Sequence, residues 1–380
     1  MDFTIPEDLQ YLKDTVARFV ADEIIPAEPS IEEDDQVPEQ LISKMRDMGL
    51  FGVTIPSAYG GAGVGPLGYA LVSEEIGKAH SAIRALVGIN NGIGSKALVL
   101  FGTDAQKQKY LPRLASGEML SAFALSEPGA GSDAGGIETL AVRDGDHYVL
   151  NGTKHFITMG PVADVLTVMA ATDKKKGTRG GITAFLVEKG TPGFRPGRDI
   201  ETMGGRGYQR SELIFDDCRI AAENIIGEEG KGFDVAMACL AEGRIFYAAF
   251  CVGTAQRLLD MSVDYASQRV QFGKPIAEFQ AIRFMLAEMA TSIYAARMAT
   301  YHAAWKCDQG VECTAEASMA KLFASEVAGK VADTAVQIHG AMGYAKDYAV
   351  ERLYRETRLY RIAEGTSEIQ KMVIAKNLLQ

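Results

Sequence analysis

The sequence lacks the marks of several common chemistries. It has no run of 18 apolar residues, and its first segment, MDFTIPEDLQ, has no apolar stretch. No membrane span or secretory leader is therefore expected, and the reading is cytoplasmic. The five cysteines (Cys218, Cys239, Cys251, Cys307, Cys313) are an odd number without CxxC spacing. They read as reduced thiols, not as a disulfide framework. The five histidines (His80, His147, His155, His302, His339) are scattered without HxxxH, and none has a cysteine at ligand spacing. No metal site is expected. GxSxG and GxxxxGK[ST] are both missing, which removes the hydrolase nucleophile elbow and the P-loop. A basic excess is missing too: 39 Lys+Arg stand against 49 Asp+Glu, a net charge of −10, so nucleic acid is a poor partner.

What remains is an ordinary globular composition, 47% hydrophobic and 23% charged, over 380 residues. That length exceeds the ~250–300 residues at which single cores stop growing, so two or three domains are expected. Glycine is the exception: 40 residues, above the usual ~7%.

The texture changes twice along the chain, giving an α+β multidomain fold. Residues 1–120 read as all-α. Leu9, Leu12, Val16, Phe19 and Val20 share one helical face, and Pro26 and Pro29 are expected to interrupt that helix. Residues 121–230 read as a small antiparallel β-barrel or sandwich, with a hairpin expected at Asn151-Gly152 and apolar runs at 165–169, 182–187 and 213–215. From 231 to 380 the helical period returns in long Ala-rich segments, which suggests a four-helix bundle. The last helix has a capping-box pattern, Ser367 with Gln370.

Four segments could carry chemistry, and each has a bland alternative. Gly129-Ala130-Gly131-Ser132-Asp133-Ala134 matches a loose GxGxxA, but no helix pattern follows, so the Rossmann reading fails. It is either an anion-cradling loop or a tight boundary turn. Arg269-Val270-Gln271-Phe272-Gly273-Lys274-Pro275 either grips a phosphate and covers a ring or is a solvated helix end. Gln337–Tyr344 is a glycine-broken helix end. Glu364, before Gly365 and a helix start, is either a first-turn acid or a general base in a cleft.

Together these segments resemble the acyl-CoA dehydrogenase family. The resemblance rests on Phe123–Asp133, Arg269–Gly273, Gln337–Tyr344 and Glu364-Gly365-Thr366-Ser367-Glu368, in the family's order and across essentially the whole chain. It implies FAD as cofactor, an acyl-CoA substrate, an electron-transfer flavoprotein as partner and a homotetramer. Glu364 would be the base that takes the α-proton while a β-hydride moves to the flavin. Phe123, Leu125, Ser126, Gly131 and Ser132 would line the flavin, Ser132 also reaching CoA. Thr158 would place its hydroxyl near the ring, and Phe156 stands where many members carry Trp. Arg269, Phe272 and Gln280 would reach the FAD of an adjacent subunit. Gln337, Gly340 and Ala341 would meet its pyrophosphate end, with Ala341 replacing a common glycine. Thr366 and Glu368 would add flavin contacts, and Arg244 and Gly365 would face the substrate. Some members carry the base on an earlier helix, but that register falls on Gly243, leaving Glu242 one residue away as a solvated or interface carboxylate. An O₂-using oxidase or monooxygenase and a retired binding protein are the alternatives. Short or branched acyl chains are favoured as substrates.

Overall fold

The computed structural model describes residues 4–379. Seven helices open the chain: α1 (Glu7–Phe19), α2 (Ile25–Asp34), α3 (Glu39–Asp47), α4 (Pro66–Gly77), α5 (Ser81–Ile89), α6 (Ser95–Phe101) and α7 (Asp104–Ser116). The prolines do not interrupt the first of them as expected. A wide π-type turn at Val20–Ile24 runs α1 into α2, with Pro26 in the first turn of α2 and Pro29 inside it. The widened turn accommodates the prolines at the residues where an α-helix would have stopped.

The middle is one eight-stranded sheet: β1 (Ser121–Ala124), β2 (Leu140–Asp144), β3 (His147–Thr158), β4 (Val165–Ala171), β5 (Ile182–Glu188), β6 (Phe194–Asp199), β7 (Arg210–Ala221) and β8 (Ile225–Ile226). Its order is β6-β7-β3-β2-β4-β5-β8, with β1 on β4. Most pairs are antiparallel as expected, while β1 and β2 meet β4 in parallel. The Asn151-Gly152 hairpin is not there. β3 runs straight through it, and the turn is at Gly145-Asp146, placing Asp144 opposite His147. Asn151 instead exchanges hydrogen bonds with Asp217 (2.8 and 3.0 Å), and the β3–β7 register shifts beside it. Gly152 is needed at this bulge because a Cβ would meet the Thr139 backbone at 2.6 Å.

The C-terminal part is helical: α8 (Gly232–Gln268), α9 (Gln280–Asp308) after a small hairpin of β9 (Val270–Gln271) and β10 (Lys274–Pro275), α10 (Thr314–His339), α11 (Ala341–Tyr344), α12 (Ala349–Thr357) and α13 (Ser367–Leu378). Small residues let these helices approach closely: a Cβ at Gly253 would overlap the Glu74 carbonyl of α4. Among the described residues α8 is the one helix long and apolar enough to cross a bilayer, and 67% of its most apolar window is buried inside the fold.

One core joins the N-terminal helices to α8, α9 and α10, through Val16, Ile83, Phe250, Ile293 and Val331 among others. A second lies between α6, α7, the start of α8 and the sheet, and a third holds Tyr148, Phe185 and Phe215. The bundle and the opening helices thus pack as one body, with the sheet held against it. The expectation of five reduced cysteines fails at one pair. Cys307 and Cys313 are joined across the α9–α10 turn, with Cα atoms 5.6 Å apart, while Cys218, Cys239 and Cys251 are free and buried. The helical turn brings together two residues whose sequence spacing carries no such signal.

Candidate active site

Six non-glycine residues have positive φ: Asp35, Phe156, Met159, Asp217, Phe272 and Glu364. Three of them are candidates from the sequence, so backbone strain concentrates where chemistry was expected.

Glu364 (φ 54°) and Gly365 (φ 92°) form a left-handed turn ahead of α13. The turn directs both carbonyls into the bundle. Gln370 Nε2 donates to the Glu364 and Gly365 carbonyls at 3.0 Å each, and Lys321 Nζ donates to Gly365 at 2.8 Å. The expected cap at Ser367 is displaced by one residue: Thr366 Oγ1 accepts from Ile369 N–H, while Ser367 donates to Glu326 at 2.6 Å. Gln370 is not available for a capping box because the Glu364–Gly365 turn already occupies it.

The Glu364 side chain points at α8. A Cβ on Gly243 would lie 2.5 Å from its Oε2, so glycine at 243 is what leaves the carboxyl room. That oxygen is buried and has no hydrogen-bond partner. Burial pushes the carboxyl up to about 7, and the nearby cations of Lys321 and Arg244 pull it only part of the way back. Desolvation outweighs the cations in this fold without any substrate. Arg244, 6% exposed, reaches Ser318 weakly at 3.4 Å and keeps an unpartnered Nε. Glu242, one residue before Gly243, is neither free nor aimed at this spot: it pairs with Lys96 at 2.5 Å.

The sheet supplies a second group of candidates. The loop after β1 lies along β3, where His155 N–H donates to the Ser126 carbonyl at 2.9 Å. It is pinned from beneath by a buried pair that sequence reading missed, Lys154 Nζ on Glu127 Oε1 at 2.6 Å. Glu127 also takes the N–H groups of Glu138 and Thr139, and Lys154 donates to the Leu125 carbonyl. A β-bulge between Lys154 and Ile157 turns Phe156 outward, 57% exposed, with half-buried Thr158 two residues on. Leu125 and Ser126 are half-buried, Gly131 and Ser132 are exposed, and the Phe123 ring packs in the core. No helix follows the glycine loop.

The third group is not brought to Glu364 within this chain. Arg269 and Gln280 are exposed, and Phe272, at the tip of the β9–β10 hairpin, is 94% exposed. Gln337, Gly340 and Ala341 lie exposed at the end of α10. Gln337 is sixteen residues beyond Lys321, about 24 Å along the helix. Thr366 is consumed as the α13 cap, and Glu368 is exposed in its first turn.

Sequence reading also missed Lys321, Gln370 and Gly243. The first had a signal: it falls in the stripe Ala317, Ala320, Ala324, Ala328 of α10, where a solvated lysine does not belong. Among the described residues, the only histidine–carboxylate cluster of metal-ligand size is Glu32, His80 and Glu356. Arg84 and Arg352 already sit on Glu356 and Arg355 faces Glu32, so the cluster reads as an ion-pair network.

Comparison with known proteins agrees with this geometry. Residues 6–118, 122–218 and 230–379 match the N-terminal, middle and C-terminal domains of acyl-CoA dehydrogenases. The chain belongs to the acyl-CoA dehydrogenase family. It is 44% identical to the NADH-dependent acryloyl-CoA reductase of Anaerotignum propionicum, covering 100% of this chain and 96% of that one. Butyryl-CoA dehydrogenase from Megasphaera elsdenii has the same fold, with a TM-score of 0.96, 41% identity and full coverage of both chains. So does a chain solved in work on the electron-transferring flavoprotein of Acidaminococcus fermentans, with a TM-score of 0.97, 43% identity and full coverage of both.

This acyl-CoA dehydrogenase is an oxidoreductase with FAD as its cofactor. The residues present fit such a group, an aromatic ring system carrying phosphates. The exposed Phe156 ring follows His155, whose N–H meets the Ser126 carbonyl, and a Cβ at Gly129, Gly131, Gly273 or Gly340 would meet nothing within 4 Å. Phe272 and Arg269 offer a second exposed ring and a cation.

Proposed function

We propose that the chain dehydrogenates a short or branched acyl-CoA to its trans-2-enoyl-CoA, with Glu364 as the α-proton base. The observation that carries this is the Glu364 carboxyl: buried, unpartnered, at about 7, and facing the space left by Gly243. An α-proton of a thioester is weakly acidic, so its base must be raised toward it without being neutralised by an ion pair. The carboxylate takes the proton onto Oε2. Negative charge then builds on the thioester oxygen, for which the Glu364 backbone N–H in the left-handed turn is the proposed donor. Arg244 balances the charge of the site from α8. FAD held by the residues named below would supply the acceptor for the β-hydride. The proton on Glu364 leaves when the product does, and the same carboxyl could return it if the reaction ran toward saturation.

The flavin contacts proposed are Phe123, Leu125, Ser126, Gly131, Ser132, Phe156, Thr158, Thr366 and Glu368 from one subunit. Arg269, Phe272, Gln280, Gln337, Gly340 and Ala341 would come from its neighbour in a homotetramer. The 94% exposure of Phe272 supports this, since a large apolar ring on a rigid hairpin asks for a covering partner. CoA phosphates need local cations against the −10 net charge. A cleft of about 250 Å³ beside Gly135 and Gly136 offers one, Lys174, among the carboxylates of Glu138 and Asp173. An electron-transferring flavoprotein is the proposed acceptor, which the fold match reported above supports.

The test is Glu364→Gln in the FAD-loaded enzyme. Anaerobic butyryl-CoA bleaches the wild-type flavin, whereas the variant keeps FAD and bleaches about 10²–10⁴-fold more slowly, the usual worth of general acid–base catalysis. Retained bleaching would sink the assignment. Peroxide formed in air at the rate of turnover would replace the dehydrogenase reading with the oxidase one.

A further inference from the structure

Lys321 is 0% exposed, an expensive place for an ammonium group. It has one hydrogen-bond acceptor, the Gly365 carbonyl at 2.8 Å, and lies 5.7 Å from the centroid of the Tyr247 ring. No ion pair reaches it among the described residues. The acceptor it holds is the carbonyl of the residue after Glu364, in the turn where both residues have positive φ. Gln370 shares that carbonyl and also takes the Glu364 carbonyl, but it carries no charge. Two charged groups face the Glu364 carboxyl, Lys321 from α10 and Arg244 from α8. Tyr69 of α4 and Tyr247 and Cys251 of α8 are neutral neighbours that feel it. Lys321 itself is faced by Cys251, Arg244 and Glu364, by Glu368 of α13 and, on its own helix, by Glu326.

We propose that Lys321 is the positioning residue of this base: its bond to the Gly365 carbonyl holds the left-handed turn that aims the carboxyl, and its ammonium favours the carboxylate form against the burial that disfavours it. The inference rests on the reading of Glu364 as base. It assigns two separable effects to one side chain, a geometric one shared with Gln370 and an electrostatic one that is not. Burial holds the Lys321 ammonium below the usual lysine range.

The experiment uses full-length, FAD-loaded enzyme and butyryl-CoA, following flavin reduction by stopped flow from pH 5.5 to 9, with FAD content and melting temperature as controls. Lys321→Met is expected to slow reduction by roughly tenfold to a hundredfold, the scale of a misplaced catalytic group. It is also expected to move the acid limb of the profile up by about one pH unit, because removing a nearby cation disfavours the carboxylate. Lys321→Arg should keep the limb where it is, and Gln370→Leu should slow reduction without moving the limb. An unmoved limb in Lys321→Met overturns the proposal, as does a moved limb in Lys321→Arg or Gln370→Leu. If Lys321→Met fails to hold FAD, those last two variants still decide. Glu364→Gln run alongside separates the two readings: if it still reduces the flavin, the base assignment fails, and if it is dead while Lys321→Met keeps its limb, only the role of Lys321 fails.

Discussion

The protein buries a lysine near a glutamate twice, and the two arrangements are opposites. In the sheet, Lys154 and Glu127 touch at 2.6 Å, and Glu127 takes two backbone N–H groups besides. The pair is satisfied and holds Glu127 below the usual carboxylate range, while burial brings Lys154 down to about 8. In the bundle, Lys321 is diverted to the Gly365 carbonyl and the Glu364 carboxyl is left without a partner, pushed up to about 7. A neutralised pair can only hold structure together. A carboxyl kept from its cation retains an unmet demand for a proton, which is what a base needs. On the proposed reading of Glu364, the same two residue types serve fold in one place and chemistry in the other, and the difference is where the ammonium is tied.

Glu364→Gln, set against Glu127→Gln, breaks that comparison with the largest contrast. The first should abolish flavin reduction while leaving FAD bound. The second should act first on stability. Lys154→Met strands a buried carboxylate, for which about 3 to 5 kcal/mol is expected. Denaturant melts of the FAD-loaded enzyme would measure it, together with loosening of the Leu125–Ser126 loop. If Lys154→Met melts like wild type, the sheet pair is not the structural tie described here.

Stability against pH sharpens the contrast further. The folded pKa of Glu364 lies above its ordinary 4.5, so the folded state binds more protons than the unfolded chain between 4.5 and about 7. Its penalty is absent below 4.5 and complete above 7, at up to about 3 kcal/mol for a shift of this size. Glu364→Gln should therefore be the more stable protein at pH 8, and its advantage should vanish by pH 4.5. A constant difference across that range would mean the carboxyl is solvated.

Much of this was legible beforehand. The 3.6-residue period of Leu9–Val20, the alternation after His147 and the glycine-flanked Glu364 are local signals, and local structure follows them. The misreadings came where tertiary context outvoted a local rule. Pro26 and Pro29 look like stops unless the upstream turn widens, and nothing in their neighbours announces that. Asn151-Gly152 has turn chemistry, yet Asp217 on β7 claims Asn151 and keeps the strand extended. Gln370 looks like a cap partner until the carbonyls of Glu364 and Gly365 are seen to need it. Lys321 was hidden because one lysine in an alanine-rich helix resembles a solvated face, and only its place in the apolar stripe says otherwise.

The smallest expected effect belongs to Glu242, and it guards the rest. Glu242 is adjacent in sequence to the glycine beneath the base, but one helical residue turns a side chain by about 100°. That rotation carries it to Lys96, where both partners are partly exposed, at 24% and 15%. Such a pair contributes about 0–1 kcal/mol, and Glu242→Gln should keep flavin reduction within about threefold of wild type. A dead Glu242→Gln enzyme would mean that the carboxylate on α8 does the work, and the orphaned oxygen of Glu364 would then need another explanation. An active one leaves Glu364 as the only carboxyl that is both buried against Gly243 and free of a partner, which is the condition the chemistry requires.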